Sequence, residues 1–580
     1  MIAFRWLVPL AFLSVSVLGS PPPDAGSCRP EVRAFREAEM ARAARRIEAL
    51  SHPEKYGVQP SQDLDILETH LDLFVDPENE HVSGTVTLTF VPTATLARLD
   101  LRLHRALSLG GTALDGSAVA FRRKKDKVSV DFSPPLAAGK AHALAVSYSG
   151  RPQVTGTLGG GMFFSRHDGV ASATTLSEPF DSFAWWPCVD DLADKSLARI
   201  DLTVPPGMVG ASNGSLADVE PNPDGTTTYR WVESYPISNY LISANVTNYS
   251  QFGDLYTALD GITTMPLQHF VYPEDLHRAL VNFSVIPEMI TFMAQMCGEY
   301  PFLGEKYGMV AFPWGGGMEH QTLTSVGDRF VGGSGSYGEL YLHELAHQWW
   351  GDDVTCGTWN DVWLNEGFAT YFEALWLARE ENIPMGRAMA YFDDGQYDGY
   401  LRGSPYLRNG NTAFADTGAI YDKGAWVLHM LRRVVGDGAF FDALRAYRAA
   451  HAYGNATTED LRAAFEGEWG GDLSWFFDQW VYTVKRPIYR LRWSQEAGAS
   501  SGFRVVVTLE QRQPHKVARR TTRRDVYLMP LDLILHFEDG TSEIRTVWND
   551  QRVQSFDFDV PKAVASVGLD EENYVLKVLQ

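Results

Sequence analysis

From about Asp63 the chain alternates apolar and polar residues with a period of two. LETHLDLFVD (67–76), HVSGTVTLTFVP (81–92), KVSVDFSPP (127–135) and HALAVSYSG (142–150) read as strands cut by Gly, Pro and Asn turns. The style persists to YLISANVTNYSQFGD, so residues 61–255 are expected to form one β domain. The period then becomes helical, beginning with EDLHRALVNFSVIPEMITFMAQMCGEY and ending near LSWFFDQWVYTVKRP, which marks 256–486 as a mostly helical domain. Alternation returns in FRVVVTLEQRQ, DLILHFEDGTSEIRTVW and SFDFDV, and 487–580 suit a small β-sandwich. Residues 30–60 form an extension in which the Ala-, Arg- and Glu-rich stretch from Pro30 to Leu50 predicts a charged surface helix. The pattern as a whole is that of an α+β multidomain chain.

At 580 residues the chain is long enough for several domains, and its 45% apolar content argues for packed cores. A formal charge of −22 turns the picture away from nucleic acid, whose phosphates an acidic surface repels, and toward cationic or amine-bearing ligands. The basic runs at 122–125 and 519–524 read as a solvated turn and a solvated loop. At the start, one Arg precedes an apolar run from Trp6 to Leu18, then small residues and prolines. That is the layout of a signal peptide, taken as residues 1–19, and it predicts a secreted or periplasmic protein with no membrane span in the mature chain. Cys28 lies about ten residues past the apolar run without the usual preceding Leu, which argues against a lipid anchor. Cys28, Cys188, Cys297 and Cys356 are too far apart for a zinc knuckle and read as buried or loop thiols with at most one disulfide, whose pairing the sequence does not choose.

The chemistry concentrates in YLHELAHQWWGDDVTCGTWNDVWLNEGFATYF (341–372). His343 and His347 are four apart, so on a helix they share a face one turn apart and can bind one zinc. Glu344 lies about 100° around that helix. It is placed to act on a water rather than to ligate, so HExxH supplies two ligands and a base. A catalytic zinc takes a third protein ligand and keeps an open position. Glu366, on a second helix starting near Asn360, is the expected third ligand. Ser336 and Glu339 have the spacing of a capping box that opens the first helix, and Gly351 is where that helix should stop. Asp352, Asp353 and Asp361 are the candidates to orient the imidazoles. The Gly-rich VGGSGSYGE lacks the ending of a phosphate loop and reads as a flexible lead-in.

With HExxH, eighteen intervening residues and then Glu366 inside NEGFA, the sequence resembles the zinc aminopeptidases of the aminopeptidase N and leukotriene hydrolase family. HELAHQWWGDDVT and WNDVWLNEGFATY follow its signature, and GGMEH (316–320) resembles its Gly-x-Met-Glu-Asn motif. TTLSEPFDSFAWWPCVDD looks like the segment supplying another acidic residue, here Glu178. TGAIYDKGAWVLHML looks like the one holding the catalytic tyrosine, here Tyr421. The resemblance implies an N-terminal β-saddle domain, a thermolysin-like catalytic domain and a C-terminal β-sandwich, without the family's large C-terminal helical domain. His320 stands where the motif has Asn, which bears on the geometry beside Glu319. Leu176 stands where many members carry Gln, and Gly315 before the motif offers no side chain; both bear on the first substrate pocket.

The implied reaction is removal of N-terminal residues from peptides with a free amine, using one zinc ion. Glu344 is the base and Tyr421 the oxyanion donor. Glu319 and Glu178 meet the ammonium group, while Gly316, Gly317 and Met318 line the substrate's path. Two alternatives stand beside it: an epoxide hydrolase or bifunctional enzyme, and a non-catalytic peptide-binding protein, against which intact Glu344 and Tyr421 speak. The pattern sets no oligomeric state.

Overall fold

The computed structural model describes residues 63–155, 159–332, 337–393, 403–410, 414, 417–498, 502–513 and 526–580. The expected signal peptide, the 30–60 extension, Cys28, Ser336 and the basic run 519–524 lie outside the described residues.

Alternation organises the first sheet. Strands Leu64–Asp76 and His81–Pro92 pair antiparallel, setting Leu71 opposite Val86 and Val75 opposite Val82. All four side chains are fully buried; each contributes roughly 1.5–3 kcal/mol of apolar burial. Leu64–Asp76 also runs parallel to Ser196–Val204, deep inside an eight-stranded sheet. A second, five-stranded sheet contains the hairpin Gly160–His167 and Val170–Leu176, and the chain leaves that last strand directly into Glu178.

The expected boundary at 255 runs through a strand. Ser250–Thr257 pairs along its whole length with Thr264–Val271, in a five-stranded sheet completed by Met309–Phe312, Thr324–Gly327 and the short edge strand Gly317–Met318. Period-two alternation therefore belongs to both neighbouring units, and the pattern alone does not locate the junction between them.

Helices carry most of the middle of the chain. Gly338–Ala346 packs on Trp363–Glu380, which packs in turn on Asp422–Val435. At the second crossing a Cβ on Gly367 would lie 2.8 Å from the Cα of Gly424, and the converse holds for Gly424. Any side chain there would force the helices apart. The touching backbones bring Glu366 and Tyr421, which flank the two glycines in sequence, to the same place. Among the described residues, one helical stretch, Pro273–Cys297, is long and apolar enough to cross a bilayer by length and composition. Its last helix, Ile286–Cys297, instead buries Met289, Ile290, Met293 and Cys297 within the protein. The C-terminal residues form the expected sandwich of a four-stranded and a three-stranded sheet, with Val505, Val507 and Leu509 buried in one and Leu531, Leu533 and Leu535 in the other. Cys188, Cys297 and Cys356 are buried free thiols.

Candidate metal centre

The HExxH helix runs Gly338–Ala346 and is shorter than expected. Regular helix ends five residues before Gly351, which takes a φ of +146° after a turn closed by the Trp350 amide donating to the Ala346 carbonyl at 3.1 Å. The helix starts with Tyr337 at its N-cap position and Glu339 as its second residue, and the Glu339 carboxylate lines a cavity. Glu366 rides on Trp363–Glu380, preceded by a single turn at Trp359–Asp361, close to the expected start.

The structure brings the three proposed ligands together. His343 Nε2 and His347 Nε2 are 3.3 Å apart, and Glu366 Oε2 lies 3.5 Å from the first and 3.4 Å from the second. Bonds of ~2.0–2.1 Å in a tetrahedral zinc site imply ligand–ligand edges of about 3.3–3.4 Å, so the triangle has the right size. Its donor atoms fit as well. Glu366 Oε2 is buried without a hydrogen-bond partner although it faces both imidazoles. Burial opposes its charge, but His347 and His343 outweigh burial and hold the carboxyl down at about 2. Burial likewise opposes charge on the two imidazoles, yet the carboxylates Glu366 and Glu373 around His343, and Glu319 and Glu366 around His347, raise both. The cluster is built for a cation.

The groups that orient the imidazoles are not Asp352, Asp353 or Asp361. His343 Nδ1 lies 3.2 Å from Glu373 Oε2, and His347 Nδ1 lies 3.0 Å from the Trp350 carbonyl. Asp353 is committed to Arg448 and the Tyr453 amide, and Asp361 to Thr358 and Thr458. Asp352 is buried with both carboxyl oxygens unpartnered, and burial followed by Glu319 pushes it well up. Glu373 escapes the sequence reading, although its place seven residues, or two turns, after Glu366 puts it on the same helix face.

Around the triangle lies a cavity of about 570 Å³ lined by Glu178, Gly317, Met318, Glu319, Glu344 and Tyr421 together with the three ligands. Leu176, Trp314, Tyr337, Glu339, Leu340, Glu373, Phe414 and Thr417 complete it. Gly317 is fixed by Glu344: a Cβ there would sit 2.2 Å from Glu344 Oε1. Gly316 is not part of the lining; a Cβ on it would meet the Trp314 ring at 2.7 Å. Burial pushes Glu344 up to about 8, with the two imidazoles pulling the other way. Tyr421 stacks its ring nearly parallel to that of His343 at 5.7 Å, and burial plus the surrounding glutamates push its hydroxyl well above its ordinary range. Glu178 and Glu319 are both buried, and burial together with neighbouring carboxylates raises both. The backbone at Glu319 is pinned by Gln348 Nε2 at 3.2 Å, and Tyr240 Oη reaches its carboxylate at 3.4 Å. His320, the departure from the motif, points away into the core. Its Nδ1 pairs with Ser325 Oγ at 2.8 Å, and burial lowers it to about 3. Leu176 does line the cavity, whereas Gly315 does not.

The model of the peptidase family M1 domain matches residues 282–480, and that of the peptidase M1 N-terminal domain matches 52–241. The chain belongs to peptidase family M1. Aminopeptidase N of Streptomyces lividans is 35% identical over 319 residues, covering 51% of this chain and 36% of that protein. An M1 zinc metallopeptidase of Deinococcus radiodurans superposes with a TM-score of 0.66 at 26% identity, covering 74% of this chain and 95% of the solved one. A mutant of the Deinococcus enzyme, solved with Tyr-Ser-Ala as substrate, superposes with a TM-score of 0.64 at 25% identity, covering 73% and 95%. The chain spans about half the length, or less, of the curated relatives it matches.

Proposed function

We propose that the chain is a zinc-dependent aminopeptidase that holds one zinc ion on His343, His347 and Glu366 and removes residues from the free amino end of peptides. The observation that carries this reading is the placing of two more buried carboxylates beside the triangle: Glu178, Glu319 and Glu366 each offer an oxygen within 4.8 Å of the others. A metal face adjoining a pair of raised carboxyls suits a substrate whose ammonium group lies one residue from its scissile bond. The Tyr-Ser-Ala substrate of the Deinococcus relative supports peptides as the substrate class.

Zinc, when bound, supplies a Lewis acid that brings the pKa of water toward ~7. Glu344, wedged against Gly317, accepts a proton from the attacking water and returns it to the leaving amine. The Tyr421 hydroxyl, kept protonated by its surroundings, donates to the developing oxyanion. Glu178 and Glu319 take the ammonium in charge-assisted hydrogen bonds, and that cation is the partner that allows both to ionise. An acetylated terminus carries no charge and leaves the two carboxyls buried without a counter-ion.

The test is mass spectrometry of matched free and acetylated peptides, with zinc measured by elemental analysis. Stepwise shortening of the free peptides alone, with one zinc per chain, is expected. Internal cuts in both at similar rates would overturn the exopeptidase reading, and protein that contains no zinc and is not activated by it would overturn the metal assignment. The apolar run from Trp6 to Leu18 supports export; Edman sequencing of protein recovered outside the cytoplasm is expected to begin near Ser20.

A further inference from the structure

Six glutamates line the cavity, and the proposed reaction uses five of them: Glu366 with the metal, Glu344 as base, Glu178 and Glu319 at the ammonium, and Glu373 on His343. Glu339 is left over. Among the described residues it makes no hydrogen bond or ion pair, and none of them that lines the cavity is a Lys or Arg. A carboxylate in the first turn of a helix is favourable for the helix dipole wherever it points, so its presence has a structural explanation. Its direction into the substrate cavity does not follow from that.

Position along the helix shows what it faces. Glu339, His343 and His347 follow one another at intervals of four and share a face. Exposure falls along that face: Glu339 is half-buried, the His343 side chain is 12% exposed and that of His347 2%. The ammonium-binding carboxylates are at the buried end, Glu319 being 3% and Glu178 5% exposed. A peptide with its amino group at that end and its scissile bond at the imidazoles must leave toward the open end, over Glu339. Tyr337 and Leu340 flank Glu339 on the same segment, and they and Trp314, all half-buried, belong to the cavity lining. Apolar walls with a carboxylate between them match a side chain with an aliphatic stem and a cationic head.

On the basis of the aminopeptidase reading, we propose that Glu339 selects peptides with Lys or Arg immediately after the scissile bond and disfavours an acidic residue in that place. A partly screened, charge-assisted contact corresponds to a preference on the order of tenfold over Ala, weakening as salt is raised.

Three tripeptide amides, Ala-Lys-Ala, Ala-Ala-Ala and Ala-Glu-Ala, test this by kcat/KM for alanine release from wild type, Glu339→Gln and Glu339→Lys. Alanine p-nitroanilide serves as the activity control, and zinc content shows that each variant retains its site. Wild type is expected to prefer Lys over Ala over Glu, Glu339→Gln to level the series and Glu339→Lys to invert it. Wild type active on the anilide but indifferent to the second residue would overturn this inference alone, as would a zinc-loaded Glu339→Lys that keeps the Lys preference. Wild type inert to every amide would overturn the peptidase reading and this inference with it.

Discussion

The two ends of the cavity are built from different kinds of backbone. The metal-facing side chains ride on two packed helices, where a spacing of four puts His343 over His347 and a glycine crossing fixes the neighbouring helix. The carboxylates proposed to meet the ammonium sit on irregular chain: Glu178 just past a strand end, Glu319 in the loop after the edge strand Gly317–Met318. That loop borrows its geometry. Thr322 holds a φ of +62°, a costly conformation for a β-branched residue. Its amide donates to Gln348 Oε1 at 2.9 Å, and Lys306 donates to its carbonyl at 3.1 Å. Gln348 directly follows His347, so the same segment that presents a ligand also pins the Glu319 loop. On the proposed reading, the helical end carries the reaction and the loop end sets the register of what reacts.

If the helical end carries the chemistry, the largest loss should come from changing its base while its ligands stay. Glu344→Gln is expected to lower kcat roughly 10² to 10⁴-fold with zinc content unchanged by elemental analysis. Turnover within tenfold of wild type at saturating substrate would move the base elsewhere. Tyr421→Phe comes next, with kcat reduced roughly 10² to 10³-fold, the usual cost of one oxyanion donor. KM should hardly move, because the hydroxyl acts mainly in the transition state. A rise in KM at constant kcat would instead make Tyr421 a binding residue and blur the division between the two ends.

The same contrast explains what is legible in the sequence. Period-two and helical stretches give the order of the three folded units, because burial of one face imposes the period. The junction near 255 escapes that pattern because both neighbours are sheets there. His343, His347 and Glu366 are readable since helix geometry converts spacing into direction. Glu178, Glu319 and Tyr421 come only from resemblance to a family, for nothing local brings three segments so distant in sequence into one cavity. Gly351 is not the helix stop because the chain continues as a bonded turn through Trp350 before the glycine. The three aspartates nearest the motif are the wrong choice to orient the imidazoles, because nearness in sequence says nothing about which face they leave. Asp353 and Asp361 instead tie the segment to Arg448, Tyr453 and Thr458.

Glu373 and Asp361 put the smallest expected effect to the sharpest use. Glu373 Oε2 is 3.2 Å from His343 Nδ1, so its charge orients that ring and leaves Nε2 free to face the metal site. Partners of this kind are typically worth 10–100-fold in metal affinity. Glu373→Gln retains the length and one carbonyl oxygen but loses the charge, and its zinc affinity, measured by competition with a chelator, should fall by about tenfold. Asp361 is buried close by in sequence, yet its hydrogen bonds run to Thr358 and to both the amide and hydroxyl of Thr458. Asp361→Asn should therefore lower the melting temperature while leaving zinc affinity within twofold. Its cost should come from the lost charge-assisted bonds, about 1–3 kcal/mol. The reverse pattern, zinc weakened by Asp361→Asn and untouched by Glu373→Gln, would return the imidazole-orienting role to the aspartates and show that the helix face from Glu366 to Glu373 does not hold the metal ligands in place.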